Sequence, residues 1–265
     1  MITSKDNPKI KRVRALQTDS KARRAEKAFV VEGIRLVEEA LGSRWDVGWV
    51  IYTEGLDERG QALLQAFIER GVLVEPVTLP VMESVSETQN PQGLLAILEA
   101  RSMPLPVALD FIFIPDNIHD PGNLGTMLRT AAAAGLQGVL LPPGSVDPFS
   151  PKVVRSAMGA HFRLPIHSLS WEEINTIVSK EELNVYLAES GGGEVYTEVD
   201  WQSPLALVIG GEATGASVEA RKLASKQVFI PMPGGSESLN AAAASAILFF
   251  EAVRQRASLA SSTAT

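Results

Sequence analysis

"VALDFIFIPDNIHDPGNLGTMLRTAAAAG", from Val107 to Gly135, decides the fold class. Its first half is a nearly continuous apolar run, the pattern of a strand covered on both faces of a parallel sheet. Asp120 and Pro121 then open a helix, the fixed φ of the proline suiting the first turn. Gly135 can end that helix in the left-handed conformation. "GVLLPPG" (138–144) supplies the next strand. Strand, helix and strand in this order build a parallel α/β sheet.

The same alternation continues on both sides. Toward the C-terminus, "NVYLAES", "LALVIGG" and "QVFIPM" read as further strands. Toward the N-terminus, "RSMPLPVALD" loses periodicity around two prolines and marks a linker. Before it, "AFVVEGIRLVEEAL" reads as a strand and a helix, with Ile34, Val37 and Leu41 at helical spacing; "VGWVIYT", "VLVEPV" and "GLLAILEA" read as strands, and "RGQALLQAFIERG" as a helix. The expected organisation is a small α/β domain over residues 1–100, a linker at 101–106, an α/β domain with a mainly parallel sheet over 107–257, and a small polar tail, 258–265, expected to be disordered.

With 265 residues, 45% hydrophobic and 21% charged, the chain can bury an ordinary core. The opening "MITSKDNPKIKR" has no apolar signal region and no run approaches a membrane span, so no membrane association and a cytoplasmic location are expected. Cysteine is absent and the three histidines share no ligand spacing, so no metal is expected. The formal charge of −7 hides a division. Residues 1–27 hold nine bases against three acids, which leaves +6 there and −13 on the rest. A basic segment on an acidic body fits contact with a polyanion, and equally a solvated helix face.

Three loops that follow strands carry the candidate chemistry, since ligands bind beyond the carboxyl ends of strands in open parallel sheets. The first contains Asn123, a possible helix cap, and Arg129, placed among apolar residues where a guanidinium needs a partner or an exit to water. Six residues at 100° each put these two about 120° apart, so they share a site only if Asn123 precedes the regular helix. The second, "LVIGGEATGAS" (207–217), offers Gly210, Gly211 and Gly215 for close backbone approach and Glu212 as a carboxylate. It lacks the GxGxxG spacing, a Walker lysine and a nucleophile elbow, which argues against a nucleotide-binding oxidoreductase. The third, "IPMPGGSESLNAAAASAILFFEAVRQR" (230–256), runs from a strand through Gly234, Gly235 and Ser236 into a long helix. Ser238 is the expected N-cap, Leu239, Ala243, Ala246, Ile247, Phe250 and Val253 form the expected packing stripe, and Arg254 and Arg256 suit the negative end.

Taken together, "DPGNLGTMLRTAAAAG", "LVIGGEATG" and "IPMPGGSESLNAAAASAILFFEAVRQR" resemble the three signature stretches of the SpoU (TrmH-like) family of RNA ribose 2′-O-methyltransferases. "ITSKDNPKIKRV", "FVVEGIRLVEEAL" and "NPQGLLAILEA" resemble the RNA-binding N-terminal domain of its rRNA-modifying members. The resemblance implies S-adenosylmethionine as cofactor, held in a deep trefoil knot of the C-terminal domain, an RNA substrate, rRNA above all, and a homodimer. Carried over by position, it implies catalytic roles for Asn123, Arg129, Glu212, Ser238 and Asn240. It places cofactor contacts on Gly210, Gly211, Ile230, Gly234 and Leu239, and RNA contacts on Lys9, Lys11, Arg12, Arg14 and Arg35. One departure is "SLNAAAA" where members often have "SLNVSVA", which concerns local packing. A tRNA ribose methylase and a noncatalytic RNA-binding protein of the same fold are the alternatives. The family's arginine is proposed as a general base, but a guanidinium holds its proton so firmly that Arg129 fits better as a cation that stabilises an alkoxide or clamps a phosphate.

Overall fold

The computed structural model describes residues 1–211 and 215–262, with side chains through 258. The chain divides into two compact units, residues 1–101 with 147–162, and residues 102–146 with 163 onward.

The first unit starts with α1 (Pro8–Thr18) and α2 (Ser20–Glu26), capped by the side chains of Asn7 and Asp19. There follow β1 (Ala28–Glu32), α3 (Ile34–Gly42), β2 (Val47–Tyr52), α4 (Glu58–Glu69), β3 (Leu73–Pro76), α5 (Leu79–Glu83) and β4 (Leu94–Glu99). The four strands form one sheet in the order β1-β4-β2-β3, antiparallel except for the β2–β3 pair. Alternation along β1 sends Ala28 and Val30 to a core shared with Ile10, Val13 and Leu16 of α1 and Val81 and Met82 of α5.

The second unit opens with β5 (Phe111–Asp116), α6 (Pro121–Ala133) and β6 (Gly138–Leu141). The chain then returns to the first unit for residues 147–162, which carry α7 (Pro151–Ala157) and a 3-10 turn. Arg23 of α2, buried, donates to Asp147 at 2.8 Å and to the carbonyls of Leu16 and Gln17. Phe29, Trp45, Phe149, His161 and Phe162 form an aromatic cluster beside it. By packing, therefore, residues 147–162 leave the domain over 107–257 to which the sequence assigns them.

The second unit resumes with β7 (Ile166–Ser168), α8 (Trp171–Lys180), β8 (Asn184–Ala188), β9 (Glu194–Val195), β10 (Leu205–Gly210), α9 (Val218–Leu223), β11 (Lys226–Phe229) and α10 (Ala241–Ser262). Seven strands pair in parallel in the order β7-β6-β5-β10-β8-β11-β9. One face packs Ile112, Ile114, Val185, Leu187, Ala206 and Val208 against residues of α8 and α9. On the other, Phe111 and Phe113 meet Phe249 of α10 edge-on. The continuous apolar reading of β5 thus corresponds to a strand buried along its whole length.

The last helix differs from its sequence reading in three ways. Asn240, not Ser238, caps it, with Oδ1 accepting from the amides of Ala242 and Ala243. The buried face is Ser245, Leu248, Phe249 and Ala252, while Ala243, Ile247 and Phe250 are exposed. The helix also runs on to Ser262, into the tail expected to be disordered, so Arg254 and Arg256 are not at its end. Arg254 pairs with Glu251, and Arg256 donates to the Trp201 and Ser203 carbonyls and pairs with Asp110.

Candidate functional site

Strand order places the switch point of the second sheet between β5 and β10, where chain direction across the sheet reverses. A cavity of about 470 Å³ lies beyond the carboxyl ends of β8, β10 and β11, lined by Ala188, Gly210, Phe229, Ile230, Ser238 and Leu239 among others. That volume is in the range of cofactor sites. Its walls are backbone, small residues and apolar side chains from all three strand ends and the start of α10, together with the charged Glu189 and Arg221.

The glycines of the second loop are required by close approach. A methyl group at Gly210 would lie 2.6 Å from the Ala216 amide nitrogen, and one at Gly211 would lie 2.1 Å from the Asn117 carbonyl oxygen. Asp116, fully buried at the end of β5, ties the same loop down from below, its Oδ2 accepting from the Ser217 amide at 2.5 Å. Its Oδ1 has no hydrogen-bond partner among the described residues.

Of the residues assigned by resemblance, Gly210, Gly211, Ile230, Ser238 and Leu239 line the cavity. Gly234 does not, and a side chain there would meet nothing within 4 Å; the bend instead takes its positive φ, 77°, at Gly235. Glu212 lies outside the described residues. Asn123 and Asn240 come together, Nδ2 of Asn240 donating to Oδ1 of Asn123 at 3.1 Å across 117 residues of sequence. Asp120 supplies the cap of α6, accepting from the Asn123 amide at 2.8 Å, so Asn123 is already the third helical residue. The condition for Asn123 and Arg129 to share one face of the helix is therefore not met. Arg129 is exposed and makes no hydrogen bond or ion pair with the described residues.

The expected RNA contacts fall on the first unit. Lys9 pairs with Glu75 and sits 5.3 Å from the centre of the Trp49 ring. Lys11 meets Asp6 at 3.2 Å and Arg12 meets Glu26 at 2.5 Å. Arg14 donates to the carbonyls of Lys5 and Ser84, and Arg35 is exposed at the start of α3. Sequence reasoning did not single out Asp116, Glu189 or Arg221, the last two of which also line the cavity. The signal available for Asp116 and Glu189 was their position at predicted strand ends.

Residues 110–250 match the SpoU rRNA Methylase family, and residues 7–96 match the MRM3-like substrate binding domain. The 23S rRNA (guanosine(2553)-2′-O)-methyltransferase RlmP of Bacillus subtilis is 33% identical over 94% of this chain and 97% of its own. The AdoMet-bound rRNA methyltransferase of Sinorhizobium meliloti superposes with a TM-score of 0.86 at 33% identity, over 96% of this chain and 97% of that one. The SpoU methyltransferase AviRb of Streptomyces viridochromogenes, in complex with AdoMet, superposes with a TM-score of 0.85 at 27% identity, over 95% of this chain and 100% of its own. A parallel sheet with a cavity beyond the ends of β8, β10 and β11, the Asn123–Asn240 bond and these likenesses agree: the chain belongs to the SpoU rRNA methylase family.

Proposed function

We propose that this protein is an S-adenosylmethionine-dependent methyltransferase that modifies a ribose 2′-hydroxyl of rRNA. The observation that carries the reading is the convergence of three strand ends, those of β8, β10 and β11, and of the bend that leads into α10 on one cavity of cofactor size. The matched substrate-binding domain over residues 7–96 favours rRNA over the tRNA alternative, as does the rRNA methyltransferase named for the Bacillus relative.

The residues present fit that cofactor. Gly210 and Gly211 let the end of β10 pack directly on the backbone of Ala216 and Asn117 and so shape the cavity wall, and Ile230 and Leu239 offer apolar surface to an aromatic base. When bound, S-adenosylmethionine supplies an electrophilic methyl group on a sulfonium sulfur. The chain's part is to hold the ribose oxygen in line and to stabilise the charge that oxygen acquires. Asn123 and Asn240 fix the start of α6 against the start of α10, and Ser238 lines the cavity from the bend before α10. Arg129, a cation on a different face of α6 from Asn123 and outside the cavity lining, acts on the RNA, at the developing alkoxide or at a phosphate.

The homodimer belongs to this proposal. Exposed Ala243, Ile247 and Phe250 make an apolar stripe along α10, and a second copy that covers it removes that surface from water. The deep knot implied by the resemblance also belongs here, supported by the tight approaches of Gly210 to Ala216 and of Gly211 to Asn117.

The test is incubation of the purified protein and S-adenosylmethionine with rRNA from cells that lack the gene, followed by mass spectrometry of the nucleosides. One new 2′-O-methylated nucleoside at one rRNA position is expected. Transfer to tRNA alone would replace the substrate, and no transfer to either RNA would leave a noncatalytic RNA-binding protein.

A further inference from the structure

Two charged side chains line the cavity among the described residues, and neither belongs to the signature residues assigned above. Glu189 follows the end of β8 with its side chain 21% exposed, and Arg221 reaches it from α9, Nη2 donating to Oε1 at 2.5 Å. Among the described residues Oε2 receives only a long bond, from Gln227 Nε2 at 3.4 Å. A carboxylate offers about four acceptor positions, so this one keeps capacity for further donors. Its place is equally specific, since β8 is the neighbour of β10, the strand that ends in Gly210. In dinucleotide-binding parallel sheets a carboxylate beyond a strand end accepts a hydrogen bond from the ribose, and Glu189 stands at such a place although the loop after β10 lacks that fold's glycine spacing.

We propose that Glu189 accepts hydrogen bonds from the vicinal hydroxyls of the cofactor's adenosine ribose, with Arg221 as the positioning residue that holds the carboxylate. The cofactor's other donors are the adenine amino group, on the base to which Ile230 and Leu239 offer apolar surface, and the ammonium group of its amino-acid end. Arg221 already supplies a positive charge at 2.5 Å, so an ammonium would have to share the carboxylate with a guanidinium. A neutral diol adds two donors without that competition, and each bond benefits from the charge on the acceptor. This inference rests on the reading of the cavity as the cofactor site.

Calorimetric titration of the full chain tests it. Wild type and Glu189→Gln are each titrated with S-adenosylmethionine, with methylthioadenosine, which keeps the ribose but lacks the amino-acid end, and with the 2′,3′-dideoxy form of methylthioadenosine. Wild type is expected to prefer methylthioadenosine over its dideoxy form by roughly tenfold to a hundredfold, and Glu189→Gln to lose most of that preference. The preference is a ratio within one protein sample, so a partly unfolded variant does not imitate the result. An unchanged ratio in Glu189→Gln overturns the proposal, as does a wild type that shows no preference. A variant that loses affinity for S-adenosylmethionine but not for methylthioadenosine overturns it too, because the carboxylate then reads the ammonium. Failure of wild type to bind any of the three would instead remove the cofactor reading itself.

Discussion

At the scale of single residues, Arg129 carries the chemical prediction. It is exposed, outside the cavity lining and without a partner among the described residues, so its removal leaves the cofactor's walls in place. Arg129→Ala is expected to bind S-adenosylmethionine with wild-type affinity while methyl transfer falls by about 10² to 10⁴. Calorimetry and single-turnover kinetics on the same preparation check both halves; normal turnover would strip Arg129 of its role. The glycines give a paired prediction. Gly211→Ala forces a methyl group against the Asn117 carbonyl at 2.1 Å and should cost about 1–3 kcal/mol together with cofactor affinity, whereas Gly234→Ala, with open space around it, should change neither. Thermal melts with and without cofactor separate the two. Sequence alone exposed the glycines as a class, but which of them touch backbone depends on Asn117 and Ala216, contacts that no local pattern encodes. Asp116 was hidden for the same reason, since its partner Ser217 stands 101 residues away.

At the scale of elements, strands were the most legible part, because burial on both faces leaves an unbroken apolar run such as Phe111–Ile114. The long C-terminal helix was legible as a helix but not in its orientation. Leu248 and Phe249 on one side and Ile247 and Phe250 on the other are equally apolar, so periodicity could not choose the face that meets the sheet. Helix α8 went unread although Ser170 and Glu173 form a capping box, a signal the sequence did contain. The unused face of α10 makes a prediction. Phe250 is 48% exposed, and Phe250→Asp should leave the monomer folded while it shifts a dimer to monomers in sedimentation or light scattering. A dimer that persists would move the interface elsewhere. The N-terminal cations yield a second. Lys9, Lys11 and Arg12 are held in surface ion pairs worth at most about 1 kcal/mol each, which an RNA phosphate can displace. Reversal of Lys11 and Arg12 to Glu should weaken RNA binding and flatten its salt dependence by about 0.7 per lost contact. Salt slopes equal to wild type would make them a solvated face.

At the scale of the whole molecule, the chain leaves its first unit at residue 101 and returns for 147–162. The return was not legible in the sequence, because Asp147 and Phe149 acquire their meaning only beside Arg23 and Phe29. His161 reports on that returned segment. Its Nε2 lies 2.7 Å from the Pro148 carbonyl, which can only accept, so Nε2 carries the proton and Nδ1 is left as a buried acceptor without a partner among the described residues. Burial among aromatic rings pushes the pKa down from 6.5 to about 4, against smaller opposing effects of the Pro148 bond and Asp147. The sign follows from linkage: on acidification the unfolded chain takes up a proton at this histidine before the folded one does. Its contribution is therefore complete above pH 6.5 and is lost as pH falls toward 4, by about 3 kcal/mol in all. His161→Phe forfeits the bond to Pro148 and should be less stable than wild type at pH 7.5, yet it lacks the titration. The stability gap in urea unfolding should then close by about 3 kcal/mol between pH 7 and pH 4, and a gap that stays constant would mean that His161 is not buried as a neutral side chain in solution.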